Sequence, residues 1–195
     1  MAWGPNNAPS CFEPLSAERP TVVLIGPGGV GKGTIAQRIV QQEPRTWLSR
    51  SWTTRAQRPS ELGDEYVFVD RDTFERAIED DRFLEWAEFH GNLYGTPRPE
   101  PGDERILLLE IEVQGAEQVV RADHDAVVIL IEPPSMEELR ERLEGRGDTP
   151  EHVATRLGST AHELAIGREL AHYRVVNHEI DAAVDEILSI LRGLR

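Results

Sequence analysis

Residues 26–34 carry the strongest chemical signal in the sequence. The segment is rich in glycine, contains one lysine and ends on a threonine. Glycines let the backbone curl until successive N–H groups point at one anion, and a lysine adds a mobile positive charge. This pattern predicts a loop that binds the phosphates of a nucleoside triphosphate. Its candidate residues are Gly26, Pro27, Gly28, Gly29, Val30, Gly31, Lys32, Gly33 and Thr34.

Lys32 is the only lysine among the 21 basic residues of the chain. A compact ammonium suits a cluster of phosphate oxygens, whereas arginine presents a planar fork. Lysine therefore stands where the outer phosphates of a nucleotide would be held. Gly33 separates it from Thr34, although the strict loop pattern has a hydroxyl residue directly after the lysine. The pattern thus supports Lys32 more firmly than it supports the Thr34 hydroxyl as a magnesium ligand.

A second set of reactive side chains lies between residues 49 and 96. Arg55 and Arg58 stand three residues apart beside several hydroxyl residues, and such a cationic pair suits a phosphoryl group in an acidic protein. Further along, Tyr66 and Tyr94 supply hydroxyl groups and Glu85 supplies a carboxylate amid apolar neighbours. A phosphate loop alone leaves the phosphoryl acceptor open, so these residues are the candidates for recognising it.

These side chains are expected to be positioned by an α/β domain. Short, apolar, β-branched runs predict buried parallel strands at residues 21–25, 106–111, 126–131 and 174–176. Helical spacing of apolar residues follows the later runs, at residues 116–120, 136–143 and 180–194. Strand followed by helix, repeated, predicts a mainly parallel sheet. Residues 47–94, rich in Thr, Tyr, Phe and Trp, predict a small, mostly β insertion interrupted by a helix at 71–78.

Length and charge exclude several functions. A chain of 195 residues is expected to form one domain with its own core. Its net charge of −14 repels phosphate backbones and anionic lipid surfaces, so we predict no nucleic-acid partner and no membrane partner. The six histidines lack metal-ligand spacing, and no metal site built from the protein alone is predicted.

The N-terminal segment has a different composition from the rest. Residues 1–20 contain four prolines among small and polar residues, and they predict a flexible tail without a secretory signal. Cys11 is the only cysteine, so it has no internal disulfide partner. A single cysteine without a disulfide fits the reducing interior of a cell, and we predict a cytoplasmic protein.

From residue 21 to the C-terminus the chain resembles the guanylate kinases. Besides the phosphate loop, the matching motifs are residues 51–55 with Arg58, 83–88, 91–96, 110–115 and 142–147. Several independent motifs in the same order make the resemblance specific. It implies the three-layer α/β/α fold of P-loop proteins, with a core of residues 21–46 and 97–195, a GMP-binding insertion at about 47–96 and a lid at about 144–157.

The resemblance also implies a reaction and a set of roles. ATP would pass its γ-phosphoryl group in line to GMP, giving GDP and ADP, with Mg²⁺ accompanying ATP and the use of dGMP left open. The implied catalytic residues are Lys32, Arg142, Arg146 and Arg156. Asn177 would contact ATP besides the loop. The implied GMP-binding residues are Ser51, Arg55, Arg58, Tyr66, Glu85, Tyr94, Thr96, Glu110 and Glu112. Monomer and homo-oligomer both remain open.

The chemistry of the base agrees with the role implied for Glu85. Guanine presents adjacent N1–H and N2–H donors, which one carboxylate accepts together. Adenine presents an acceptor at N1 and would leave the carboxylate facing a lone pair. A buried carboxylate without its partner is unfavourable enough to discriminate strongly between the bases.

The chain departs from the family pattern in several places. Glu112 stands where aspartate is usual, Trp52 replaces a small residue, and His178 follows Asn177 in place of the usual aspartate. Residues 97–103 are shorter and rich in proline, which predicts a loop rather than the usual helix. The lid and the connection from residue 58 to 66 are each about one residue short.

Three other functions fit part of this pattern. A catalytically weak guanylate-kinase-like binding module would have the same fold, but the phosphate loop and Lys32 are intact here. An adenylate kinase would fit the loop equally well, whereas the acceptor residues between 51 and 96 favour GMP. A related kinase of a phosphorylated sugar would not need Glu85, Ser51 and Thr96 to recognise a purine.

Overall fold

The computed structural model describes residues 20–57, 63, 66–89, 91–99, 104–145 and 149–194. The strands within these ranges are β1 (Thr21–Ile25), β2 (Thr46–Leu48), β3 (Trp52–Thr53), β4 (Val67–Phe68), β5 (Phe83–Phe89), β6 (Asn92–Pro97), β7 (Ile106–Glu110), β8 (Val127–Glu132) and β9 (Tyr173–Val176). The helices are α1 (Lys32–Gln42), α2 (Arg71–Glu79), α3 (Val113–Ala122), α4 (Met136–Gly145), α5 (Pro150–Leu170) and α6 (Ile180–Gly193). No helix of the described ranges is long and apolar enough to cross a bilayer.

Five strands form a parallel sheet in the order β2-β7-β1-β8-β9. β1 lies at its centre, where Val22 pairs with Leu108 on one side and Val127 on the other. Every residue of β1 is buried. A parallel sheet that is covered on both faces needs continuous apolar strands, which is why these runs stand out in the sequence.

Helices cover both faces of this sheet. Val22 and Ile39 belong to the core that α1 and α6 form on one face. Val23 and Val119 belong to the core that α3 and α5 form on the other. Alternate residues of β1 thus point into different cores, as the two-residue period of a strand requires. The predicted three-layer α/β/α architecture with a mainly parallel sheet is confirmed.

A second, smaller sheet has the order β4-β3-β6-β5. Its core is aromatic: the rings of Phe74 and Phe83 stack with centroids 4.5 Å apart, and Trp52 meets Phe83 edge-on at 5.6 Å. The Arg82 guanidinium lies 5.1 Å from the Trp52 ring centroid. The bulky residue at position 52 is therefore accommodated as part of this small core, between an aromatic edge and a cation.

Two parts of the fold differ from the sequence expectation. The residue composition predicted that Trp47 and Leu48 belong to the insertion. They pair instead with β7 in the larger sheet, so the smaller sheet begins at Trp52. α5 is a long helix that the sequence pattern does not predict; Thr149 caps its N-terminus, and Pro150 occupies its first turn.

Some expectations fall on residues outside the described ranges. They concern most of the tail at 1–20, including Cys11, and residues 100–103 of the predicted proline-rich loop. Pro97, at the start of that loop, is the last residue of β6.

The strand order gathers the reactive residues at one edge of the larger sheet. The phosphate loop follows β1, Glu110 ends β7, and Asn177 follows β9. Carboxyl ends of parallel strands meet at the same edge, which is where open α/β sheets bind ligands. The smaller sheet lies close to the same edge, since α3 follows β7 and packs against β5.

Candidate active site

The phosphate loop has the backbone of an anion site. Val30 N–H donates to the Pro27 carbonyl at 3.2 Å, and Gly31 precedes α1 with a φ of +100°. That φ lies in the region that favours glycine, so the loop needs glycine there to enter the helix. The first turn of α1 carries no acidic residue. The N–H groups at the start of α1 and the positive end of its dipole therefore face the loop without competing carboxylates on that turn.

Lys32 is the first residue of α1 and is 7% exposed. Its Nζ donates to the Gly26 carbonyl at 2.5 Å and lies 3.5 Å from the Pro27 carbonyl. The side chain thus folds back over the loop, and its ammonium is held where anionic oxygens would meet it.

One cleft joins this loop to the second set of reactive residues. Its volume is about 890 Å³, large for a single small ligand. Loop residues line one end, and side chains of the smaller sheet line the other. The predicted site residues that border it are Pro27, Gly28, Gly29, Gly31, Lys32, Gly33, Thr34, Ser51, Arg55, Tyr66, Glu85, Tyr94, Glu110, Glu112, Arg142, Arg156 and Asn177. Gly26, Val30 and Thr96 lie behind this surface and are buried.

Glu85 is a buried carboxyl, 5% exposed, on β5. Thr96 stands opposite it on β6, and its Oγ1 donates to Glu85 Oε1 at 2.6 Å. The Ser51 hydroxyl is 3.4 Å from the Thr96 hydroxyl. Burial raises the pKa of Glu85 to about 7; the hydrogen bonds from Thr96 oppose this rise, and the charge of Glu112 adds to it.

Two tyrosines and an arginine form a cluster beside this carboxyl. The rings of Tyr66 and Tyr94 meet at 6.0 Å in an edge-to-face arrangement, and the Arg55 guanidinium lies 5.5 Å from the Tyr66 ring centroid. Burial raises the pKa of Tyr66 well above its ordinary value; Glu110, Tyr94 and Glu112 add to the rise, and Arg55 opposes it. The phenol is therefore a neutral donor, suited to an anionic oxygen.

Two further carboxylates border the cleft at the end of β7 and just beyond it. Glu110 lies beside the loop, because a Cβ built on Gly33 would be 3.3 Å from its Oε2. Glu112 precedes α3 as its N-cap, yet its side chain makes no capping hydrogen bond to that helix within the described residues. The longer side chain found here in place of aspartate is thus not used to cap α3.

The candidate arginines come from α4 and α5. Arg142 donates to the carbonyls of Asn177 at 2.8 Å and His178 at 3.3 Å, which ties α4 to the segment after β9. The Arg156 guanidinium lies directly over Gly28, where a Cβ would collide with it. Two predicted site residues, Arg58 and Arg146, lie outside the described ranges.

Asn177 is 1% exposed and contacts the phosphate loop. Its Nδ2 donates to the Val30 carbonyl at 2.8 Å. Its Oδ1 is buried and has no hydrogen-bond partner among the described residues. The side chain therefore supports the loop, and the contact with the ATP base stays a prediction.

Sequence reasoning missed two residues beside the site. Glu163 on α5 is 6% exposed, and its carboxyl interacts electrostatically with Lys32, Arg156 and Glu112. It follows Arg156 by seven residues, so it shares a helix face with it, but that signal requires knowing that the segment is helical. Gly115 on α3 lies against the Glu85 carboxyl; its distance from Glu85 along the chain hides this contact in the sequence.

Comparison with known proteins agrees with this geometry. The family model for guanylate kinase matches residues 18–194. The guanylate kinase of Rubrobacter xylanophilus is 45% identical over 178 residues, which cover 89% of this chain and 93% of the relative. The guanylate kinase of Thiobacillus denitrificans is 44% identical over 179 residues, covering 89% and 85%.

A solved structure shares the fold as well. The crystal structure of guanylate kinase from Anaplasma phagocytophilum matches with a TM-score of 0.75 at 35% identity, covering 90% of this chain and 85% of that one. The family model spans both sheets and the residues of the cleft, and the relatives and the solved structure cover 89–90% of the chain, so the chain belongs to the guanylate kinase family.

Proposed function

We propose that this chain transfers the γ-phosphoryl group of ATP to GMP, giving ADP and GDP, and that the cleft described above is where it does so. The observation that carries the proposal is the position of Glu85. This carboxyl is buried, accepts a hydrogen bond from the neutral Thr96 hydroxyl, and borders the same cleft as the phosphate loop. A guanine base offers the paired N–H donors that such a group accepts.

The phosphate of GMP would bind at the other cluster of the smaller sheet. Arg55 supplies positive charge, while Tyr66 and Tyr94 supply hydroxyl donors at the same end of the cleft. Arg58 is proposed to join them from outside the described ranges. Guanine and phosphate would thus be held by separate groups, which fixes the orientation of the acceptor toward the loop.

The triphosphate would lie over the phosphate loop and Lys32. A phosphate oxygen of GMP, already anionic at neutral pH, attacks the γ-phosphorus while the bond to the bridging oxygen of ADP breaks. Lys32, Arg142 and Arg156 border the cleft and would neutralise the charge on the moving group. Arg146 is proposed to act with them. No covalent intermediate on the protein is needed.

Magnesium accompanies ATP in this proposal, and the residues fit an ion that is bound mainly by phosphates. Among the described residues, no three His, Cys, Asp or Glu side chains are grouped to hold a metal. Mg²⁺ prefers oxygen ligands and is commonly held by one or two protein groups together with substrate phosphates. The Thr34 hydroxyl and the Glu110 carboxylate line the cleft near Gly33 and would serve. When bound, the ion would neutralise part of the negative charge on the phosphate oxygens.

The alternative functions gain no support from the site. A binding module would not require an ordered loop with Lys32 folded over it, and a sugar phosphate would leave the Glu85 carboxyl without base donors. We further propose a cytoplasmic location, because ATP and GMP are supplied there.

The test is ADP release from MgATP by the purified chain with GMP, dGMP, AMP, UMP, CMP, a phosphorylated sugar or no acceptor. We expect strong stimulation by GMP and little by AMP or the pyrimidines. The Lys32→Ala variant, assayed in parallel, should show at most about a hundredth of the stimulation by GMP. Binding of GMP without any stimulated ADP release would instead indicate a binding role, and stimulation by the sugar phosphate alone would indicate the related kinase.

A further inference from the structure

Gly115 lies in α3, a helix of the core, and borders the cleft. It is buried, and a Cβ built on it would lie 2.6 Å from Glu85 Oε2 and 3.0 Å from Glu85 Cδ. Real Cβ atoms are not found at such distances from an oxygen. The Glu85 carboxyl therefore rests directly on the backbone of α3, in space that any other residue at position 115 would fill.

The backbone at Gly115 does not itself demand glycine. Its φ is helical, so alanine would be accepted by the conformation and favoured by helix propensity. Glycine gives a helix less stability than alanine does, and its presence in the first turn of α3 is explained by the need for space. The Glu85 carboxyl group occupies the space that a side chain at position 115 would need.

The elements on either side cannot easily move apart. Leu84, next to Glu85, is buried in the same core as Val113 and Ala116 of α3. Gln118 Nε2 donates to the Trp86 carbonyl at 2.9 Å, which holds α3 against β5. A side chain at position 115 would therefore displace the end of the Glu85 side chain rather than the helix or the strand. The carboxyl would lose its alignment with Thr96.

We propose that Gly115 is a specificity-determining positioning residue, which by lacking a side chain allows the Glu85 carboxyl to lie against α3 in the orientation that accepts the guanine donors. The proposal rests on the assignment of Glu85 to the base of GMP. It makes base selection depend on a residue of the core helix α3, outside the smaller sheet on whose strands Glu85 and Thr96 lie.

The test compares Gly115→Ala with Gly158→Ala. Gly158 lies inside α5 and is exposed, and a Cβ built on it would have nothing within 4 Å. It is therefore the control: a helical glycine at which an added methyl group meets no other atom. We expect Gly115→Ala to raise KM for GMP about tenfold or more and to lower the GMP-to-AMP ratio of kcat/KM, with KM for ATP unchanged. Gly158→Ala should leave all three unchanged. Unchanged KM for GMP in folded Gly115→Ala would overturn the proposal.

A second pair of variants links the effect to the carboxyl. Glu85→Asp has a side chain one methylene shorter, so its carboxyl is drawn back from α3. Adding Gly115→Ala to Glu85→Asp should therefore raise KM for GMP by a smaller factor than adding it to the wild type. Equal factors in the two backgrounds would show that the added methyl group acts elsewhere, and would reject the proposal.

Folding and the base assignment are checked separately. If Gly115→Ala fails to fold, the Glu85→Ala/Gly115→Ala variant decides: recovery of folding locates the clash at the carboxyl, and failure in both contradicts the proposal. Glu85→Gln tests the underlying function. If it keeps the GMP preference, the assignment of Glu85 to guanine is wrong. If it loses that preference while Gly115→Ala keeps it, only the role of Gly115 is wrong.

Discussion

Thr96 Oγ1 donates a 2.6 Å hydrogen bond to Glu85 Oε1 across the β5–β6 pair. The donor is neutral, so it orients the carboxyl without supplying the positive charge that would hold it ionised when buried. This is why the pKa of Glu85 is raised to about 7 despite the hydrogen bond. The ionisation of a candidate base-reading group therefore changes within the neutral pH range.

The first prediction follows for GMP binding. Only the ionised Glu85 carboxyl accepts both guanine donors, and with a pKa of about 7 its ionised fraction rises about tenfold between roughly pH 6 and pH 8. KM for GMP should fall by up to about that factor across this range, measured by steady-state kinetics at saturating MgATP. The phosphate of GMP also titrates, so Glu85→Gln is the control and should show a much flatter profile. An identical profile in that variant would assign the dependence to the substrate.

The second prediction concerns stability. The folded pKa of Glu85 lies above its ordinary value of 4.5, so the folded protein binds the proton more tightly than the unfolded chain does. Stability from this group is therefore lost as pH rises from about 4.5 through about 7, and the loss is on the order of 3 kcal/mol. Glu85→Gln should unfold at higher urea concentration than the wild type at about pH 8, with the difference disappearing near pH 4. A constant difference at every pH would be inconsistent with titration of this carboxyl.

The third prediction concerns Lys32. Removing its ammonium in Lys32→Ala should lower kcat by about 10²-fold or more, because one fixed positive charge is lost from the phosphate site. Lys32→Arg should not restore activity, since a planar guanidinium does not fit a nearly buried site that holds an ammonium against the Gly26 carbonyl. Circular dichroism and urea unfolding would verify that both variants fold. Substantial transfer by folded Lys32→Ala would remove this residue from the mechanism.

The fourth prediction separates the hydroxyl of Tyr66 from its ring. Tyr66→Phe keeps the packing against Tyr94 and Phe68 but removes a donor to an anionic oxygen. KM for GMP should rise about tenfold or more, with unfolding by urea little changed. Tyr173→Phe is the matched control, because Tyr173 is 44% exposed and lies on β9 away from the cleft. Equal KM values for the two variants would argue against a phosphate contact by Tyr66.

The fifth prediction concerns Glu163. Burial raises its pKa; the nearby Glu112 adds to the rise, while Ser159, Lys32 and Arg156 oppose it. The sign is the same as for Glu85, so the charged form weakens the fold as pH rises above the ordinary carboxyl range. Glu163→Gln should therefore be more stable than the wild type at about pH 8 and gain less at about pH 5, as measured by urea unfolding. Exposed Glu169 on the same helix provides the control variant, Glu169→Gln, for which no such difference is expected.

The sequence predicts the larger sheet because its signal is local. A strand buried on both faces must be largely apolar, so β1, β7 and β8 are visible as short runs. β9 lies at the edge and only its Val175 is buried, so it is visible from the β-branched pair Val175 and Val176 instead. β2 is only three residues long and begins with a threonine, which gives no period to detect. The sequence therefore could not place Trp47 and Leu48 in the larger sheet.

α5 shows why a long helix can escape pattern reasoning. It contacts α3, α4 and β8 through one buried face, but Thr160 and Glu163 on that face are polar and Gly167 has no side chain, so the sequence shows no apolar stripe. The phosphate loop could be predicted because its glycines and Lys32 are consecutive. The contact between Gly115 and Glu85 could not, because it depends on how α3 packs against β5.

The position of β9 bears on solubility. Among the described residues it is the last strand on its side of the larger sheet, and Tyr173 and Val176 are more than 40% exposed. An edge strand with apolar side chains is a template on which other molecules can add strands and aggregate. Arg174 stands between them, held by hydrogen bonds of 2.8 and 3.1 Å to Glu132. This paired charge interrupts the apolar edge. A variant such as Arg174→Val changes no residue that borders the cleft, yet we expect it to be difficult to keep in concentrated solution.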